Sequence, residues 1–143
     1  MLKAEGLKIY EEAEDALTHY RLRFTYTLRT FQEQELLYSQ GRTSPGAIVT
    51  NARAGQSFHN YGLAIDICLM NPEGKMATWD TKTDFDKDGI ADWTEVVKVF
   101  KKYGWSWGGD FTSFKDQPHF EKPLGYRVSQ LNVLYKAGDL IPG

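Results

Sequence analysis

The chain has 143 residues, 41% of them hydrophobic and 25% charged, with 17 basic against 19 acidic side chains for a formal charge of −2. That composition fits one ordinary globular domain, residues 1–143. It excludes a disordered chain and the strongly basic surface of a general nucleic-acid binder. A single cysteine, Cys68, excludes an intrachain disulfide and a cysteine-built zinc site, and no apolar run is long enough to cross a membrane.

In chain order, residues 3–19 read as an amphipathic helix, with Leu2, Ala4, Leu7, Ile9, Tyr10, Ala13, Ala16 and Leu17 on the apolar side. Residues 22–27 alternate as a strand, Leu22, Phe24 and Tyr26 on one face and Arg23, Thr25 and Thr27 on the other. Thr30 and Glu33 form a capping-box pair that opens a second helix, which Gly41 closes. The irregular stretch 41–58 is long enough to suggest a functional loop. A strand is expected over 62–69, a polar connection over 70–83 and a helix over 92–103, with Val96, Val97, Phe100 and Tyr103 as its stripe. Short strands at 105–107 and 119–121 flank a Gly-Gly turn, and a last helix covers 127–136. Hairpin-like strands among helices favour a small α+β domain over a doubly wound sheet.

Of three histidines, two keep unusual company. His59 lies seven residues before Asp66, a lone carboxylate in the apolar strand AIDICL, and His119 lies in DQPHFE. Catalytic zinc takes three protein ligands from histidine and carboxylate and keeps one position open. His59, Asp66 and His119 can supply such a set, and an ion would offset the cost of Asp66 in apolar surroundings. The spacing alone also suits ordinary polar histidines and a solvent-facing Asp66. His19 reads as a helix-end residue placed favourably for the helix dipole.

The elements Ser57-x-His59-x-x-Gly62-x-Ala64-x-Asp66 and Asp116-x-x-His119-x-Glu121 resemble the zinc D-Ala-D-Ala peptidases. That group holds D,D-carboxypeptidases, D,D-dipeptidases and the L-alanyl-D-glutamate endopeptidases of bacteria and phage endolysins. The resemblance takes in Tyr26-Thr-Leu-Arg29-Thr30, Glu33-Gln34, Gln40-Gly41-Arg42-Thr43 and Trp107-Gly108-Gly109-Asp110, and spans residues 22–121. The last two elements look most like the L-alanyl-D-glutamate branch. The resemblance implies a Hedgehog/D,D-peptidase type of α+β domain, an antiparallel sheet flanked by helices. It implies His59, Asp66 and His119 as zinc ligands and Asp116 as general base, where many relatives carry the longer glutamate. It implies Arg29 on the scissile carbonyl and its oxyanion, and Ser57 near the substrate carboxylate. Arg29 also suits a plain ion pair with Glu33, and Glu121 is either a rival base or a partner that orients a ligand histidine.

Residues 84–95 carry a separate pattern, D-x-D-x-D-G-x5-E, that of an EF-hand calcium loop. Asp84, Asp86 and Asp88 are the first-half candidates, with the Ile90 carbonyl, Asp92 and Glu95 following. Residues 71–95 hold seven acidic side chains against three lysines. The preceding sequence is a poor helix, so an isolated calcium loop feeding one helix is expected, not a full EF-hand. The alternative is an Asp-Gly turn with Asp92 as N-cap and Glu95 as its capping partner. Tyr61, Trp105, Trp107, Phe111 and Phe120 flank the zinc candidates as walls of a groove, with Trp105 and Phe120 better suited to the core. Cys68 suits a small packed residue.

The expected function is a zinc peptidase of peptidoglycan stem peptides, acting on the L-Ala–D-Glu bond as a monomer without membrane insertion. The alternatives are a D-Ala-D-Ala carboxypeptidase or dipeptidase and a non-catalytic metal-containing wall-binding module. The charged N-terminus does not read as a secretory signal. At this length the expectation is a lone catalytic domain with no separate wall-binding module. It would stay cytoplasmic until released to the wall, as phage lysins are, or be extracellular if a leader was removed.

Overall fold

The computed structural model describes residues 3–112 and 115–138. Four helices, α1 (Lys3–Ala16), α2 (Phe31–Ser39), α3 (Asp92–Lys102) and α4 (Val128–Lys136), surround one sheet. Its strands are β1 (Arg21–Tyr26), β2 (Ala64–Met70), β3 (Ala77–Thr78), β4 (Ser106–Trp107) and β5 (His119–Glu121). The order is β1-β2-β5-β4, with β3 also on β2, and every pairing is antiparallel. The α+β expectation holds.

β2 is the centre. Its side chains alternate, so Ile65, Ile67 and Leu69 face the main core while Asp66, Cys68 and Met70 take the other side. α1 and α3 cover the first face. Ile9, Ala13 and Leu17 recur at four-residue steps along α1 and its exit, and Trp93, Val96, Val97 and Phe100 form the stripe of α3. The α1 stripe is narrower than the sequence suggests, since Ala4, Leu7 and Ala16 are exposed; Leu2 lies outside the described residues. Phe100 joins the layers by stacking on Phe120 of β5, ring centroids 3.9 Å apart. A smaller cluster of Tyr61, Leu63 and Leu131 ties α4 to the segment before β2.

Four local features depart from the sequence reading. β1 steps irregularly, pairing Phe24 with Ile67 but Tyr26 with Asp66, so two residues advance against one. That bulge turns Tyr26 away from the face of Phe24 and towards that of Asp66. β3 falls inside the expected polar connection, where two residues are too few to show a period of two. α3 begins at Asp92 with Ala91 in the cap position and no side-chain cap bond, so Asp92 does not cap. α1 ends at Ala16, which leaves exposed His19 beyond its last turn.

Candidate metal centre

The sheet register brings the site together. Asp66 pairs with His119 across β2 and β5 and with Tyr26 across β2 and β1. His59 arrives on a 3-10 turn, Phe58–Tyr61, whose start is fixed by Ser57. The Ser57 hydroxyl accepts the His59 N–H at 3.2 Å, and Asn60 Oδ1 accepts the Ser57 N–H at 3.2 Å. Gly62 follows at φ 71°, a left-handed conformation that glycine adopts without strain, and turns the chain into β2.

His59 Nε2 and His119 Nδ1 each lie 3.1 Å from Asp66 Oδ1. One donor atom from each residue lies within 4.8 Å of the other two. The far nitrogens are engaged elsewhere: His59 Nδ1 is 2.9 Å from the Thr27 carbonyl oxygen, and His119 Nε2 is 2.8 Å from Glu121 Oε1. A carbonyl oxygen can only accept, so the Thr27 contact favours an N–H at Nδ1 and leaves Nε2, which faces Asp66, as the atom a metal ion would take. Glu121 holds the His119 ring in the same way, as outer partners of metal-binding histidines do. Two imidazole nitrogens and a carboxylate, convergent and oriented from behind, make a donor set that could hold a metal ion.

The electrostatics follow the contacts. Burial raises the Asp66 carboxyl, but hydrogen bonds to His119 and His59 outweigh it and hold the group well below the usual carboxylate range. Burial pulls His119 down, but its bonds to Asp66 and Glu121 push it up to about 9.

Arg29 lies beside this cluster. It is buried, with one guanidinium nitrogen 3.9 Å from Asp66 Oδ2 and the guanidinium carbon 4.5 Å from the Tyr26 ring centroid. It does not pair with Glu33, which closes the capping box with Thr30 (2.9 and 3.1 Å). Its anchor is Gln34, whose Oε1 accepts from Arg29 at 2.9 Å and whose Nε2 donates to the Ala52 carbonyl at 2.7 Å. Arg29 Nε is left without a partner in the protein. Gln34 and Tyr26 stand in the elements that carry the resemblance, but only their contacts here give them a place at the site.

Asp116 lies near the cluster and is accessible to solvent. Crowding by protein raises its carboxyl; His119 draws it down, Asp66 raises it, and His59 and Arg29 lower it. Its backbone is held by Gly108: Asp116 N–H donates to the Gly108 carbonyl at 3.0 Å, and His119 N–H donates to the Asp116 carbonyl at 3.0 Å. A Cβ on Gly108 would collide with the Asp116 carbonyl oxygen. The Trp-Gly-Gly element is thus a cradle for the turn that carries Asp116 and His119. Trp107 closes it by donating Nε1–H to the Gln117 carbonyl at 2.7 Å.

Of the expected aromatic walls, Trp105 and Phe120 belong to the core. Tyr61 is also buried, its hydroxyl donating to the Gly55 carbonyl at 2.7 Å, so it walls no groove. Phe111 stays near His119, ring centroids 6.1 Å apart. Cys68 is buried beside β1, and burial raises its thiol. The loop residues Asp84, Asp86, Asp88, Ile90, Asp92 and Glu95 lie together at the start of α3, as a second group apart from the histidines.

Known proteins resemble this chain in sequence and in fold. Over 97 residues the chain is 52% identical to the peptidoglycan L-alanyl-D-glutamate endopeptidase CwlK of Bacillus subtilis (strain 168). That match covers 68% of this chain and 58% of CwlK, so the chain spans little more than half of that relative's length. The crystal structure of the Serratia marcescens L-Ala D-Glu endopeptidase ChiX superposes with a TM-score of 0.53, covering 82% of this chain and 77% of ChiX. At 21% identity that likeness is one of fold. Residues 50–122, which include both histidines, Asp66 and Asp116, match the family model described as D-alanyl-D-alanine carboxypeptidase. The chain belongs to that family of M15 peptidases.

Proposed function

We propose that the chain is a zinc peptidase that hydrolyses the L-Ala–D-Glu bond of peptidoglycan stem peptides. The observation that carries this is the convergence of His59 Nε2, Asp66 Oδ1 and His119 Nδ1, with each histidine's other nitrogen already engaged. The donor set suits zinc, which accepts nitrogen and oxygen ligands in this number. When bound, zinc supplies a Lewis acid that polarises the scissile carbonyl and acidifies water at the site.

The remaining roles belong to the chain. Asp116, on the turn that leads into His119, accepts a proton from the attacking water and returns it to the leaving amine. Crowding raises its carboxyl, which suits both halves of that exchange. Arg29, fixed by Gln34, brings a positive charge to the carbonyl oxygen as negative charge develops there. Ser57 caps the turn that carries His59, accepting the His59 N–H, and in this reading lies near the substrate carboxylate. Cleavage at L-Ala–D-Glu rests on the identity to CwlK and on the Gln-Gly-Arg-Thr and Trp-Gly-Gly-Asp elements.

Digestion of defined muropeptides by zinc-loaded protein, read by mass spectrometry, tests the proposal. The expected products end in L-Ala on the muramyl side and begin with D-Glu on the other. Asp116→Asn is expected to retain zinc and lose turnover by about 100-fold or more. Loss of terminal D-Ala alone would assign the chain to carboxypeptidase chemistry instead. Wall binding without cleavage would make it a binding module.

A further inference from the structure

The 84–95 loop gathers five carboxylates at the entrance to α3, with Lys87 as its one basic residue. Donor atoms of Asp84, Asp86 and Asp92 lie within 4.8 Å of one another, and so do those of Asp86, Asp88 and Glu95. Asp86 belongs to both sets, so the five side chains form one cluster. Gly89 sits at φ 92°, and a Cβ there would meet nothing within 4 Å. Its glycine therefore serves the backbone turn, not close packing. The turn lets Asp84 accept the Gly89 N–H at 2.8 Å and Asp88 accept the Ile90 N–H at 2.9 Å.

Internal hydrogen bonds do not account for the whole cluster. Asp92 is wholly buried; its Oδ1 accepts the Phe85 N–H at 3.0 Å, while its Oδ2 has no partner in the protein. Asp86 Oδ2 and Glu95 Oε2 are likewise buried and unpartnered. Among the described residues, no Lys, Arg or His nitrogen lies within 4.0 Å of any of the five carboxylates. A buried carboxylate oxygen with neither donor nor counter-charge is costly, and buried charges are normally paired or bound to metal. Burial, the contact with Asp88 and the neighbouring carboxylates push Glu95 up to about 8.

We propose that residues 84–95 bind one calcium ion through Asp84, Asp86, Asp88, the Ile90 carbonyl, Asp92 and Glu95. The donors are all oxygen, which suits a hard cation and not zinc. Five carboxylates and a carbonyl on a flexible loop exceed what magnesium usually takes from protein, since it keeps several of its waters. The spacing of the six positions is that of a twelve-residue calcium loop, but the chain enters through a turn closed on Asp80, not through a helix. The bound ion is a clasp. It joins Phe85, stacked on Tyr20 at 3.9 Å, to the first turn of α3, where Trp93 and Val96 enter the core.

Calcium titration of the zinc-loaded full chain, after calcium is removed by a chelating resin, tests this. Calorimetry is expected to show one site with Kd below 1 mM. Thermal melting is expected to rise by several degrees in 2 mM CaCl2 and by clearly less in 2 mM MgCl2. Glu95→Gln and Asp86→Asn, each relieving carboxylate repulsion, should fold and lose the calcium response, whereas His59→Ala should keep it. Absence of heat and of any melting shift at 5 mM calcium would overturn the proposal. So would a wild-type calcium response in both loop variants, or its loss in His59→Ala.

Discussion

His119 shows how much the centre depends on one side chain's two contacts. Its bonds to Asp66 and Glu121 outweigh burial and push its pKa up to about 9, above the ordinary 6.5. In chelator-treated protein the imidazole therefore carries both protons at neutral pH, and a metal ion must displace the one on Nδ1. A raised folded-state pKa stabilises fully below the unfolded value and loses that contribution as pH climbs through the folded value. The chelated protein is thus expected to lose melting temperature between about pH 6.5 and pH 9. Metal loading at pH 7.5 is expected to release about one proton. Calorimetry in buffers of different ionisation enthalpy reads that proton, and zero release would show that His119 is neutral before loading. Arg29 is the other dependent residue, since its direction rests on Gln34, a neighbour that charge patterning alone does not single out.

Among the elements, the 3-10 turn, the β1 bulge and the Trp-Gly-Gly cradle each position a group that strand and helix periodicity would leave elsewhere. The bulge moves Tyr26 to the face of Asp66, where simple alternation puts it with Leu22 and Phe24. The cradle sets the height of the turn bearing Asp116 and His119. Gly108→Ala would push a methyl into the Asp116 carbonyl and force that turn outward. It is expected to lower turnover by 100-fold or more and to weaken zinc retention, with helical content by circular dichroism unchanged. Wild-type activity in Gly108→Ala would show that the turn can shift without cost. Thr30 and Glu33, by contrast, form their capping box just as the sequence pattern indicates, because both partners lie within one turn.

In the whole molecule, the core and the centre share β2 and β5. Phe120 is fully buried between His119 and Glu121 and stacks on Phe100. One face of the strand thus carries the hydrophobic anchor and the other the ligand. Phe100→Ala removes that stack and is expected to cost about 3–5 kcal/mol in urea unfolding. Zinc affinity is expected to fall with it, because β5 loses the support that fixes His119. Unchanged zinc affinity in a destabilised Phe100→Ala would show that centre and core are uncoupled. No helix among the described residues is long and apolar enough to cross a membrane.

The sequence by itself determined the α+β class, the two long core helices and most of the strands, because those follow from local periodicity and caps. It also marked His59, Asp66, His119, Arg29 and Asp116 through motifs whose residues lie up to ninety positions apart. Only the tertiary structure decided how they meet. The Asp66–His119 register is a long-range pairing, and the bulge that recruits Tyr26 is an irregularity of pairing between strands. Gln34 is assigned by the burial of its contacts, and Gly108 by a backbone approach from eight residues away. Of the five aromatics that flank the ligands, Tyr61, Trp105 and Phe120 are buried, since packing decides which rings reach solvent. Each of these depends on what a residue touches, which no local pattern along the chain encodes.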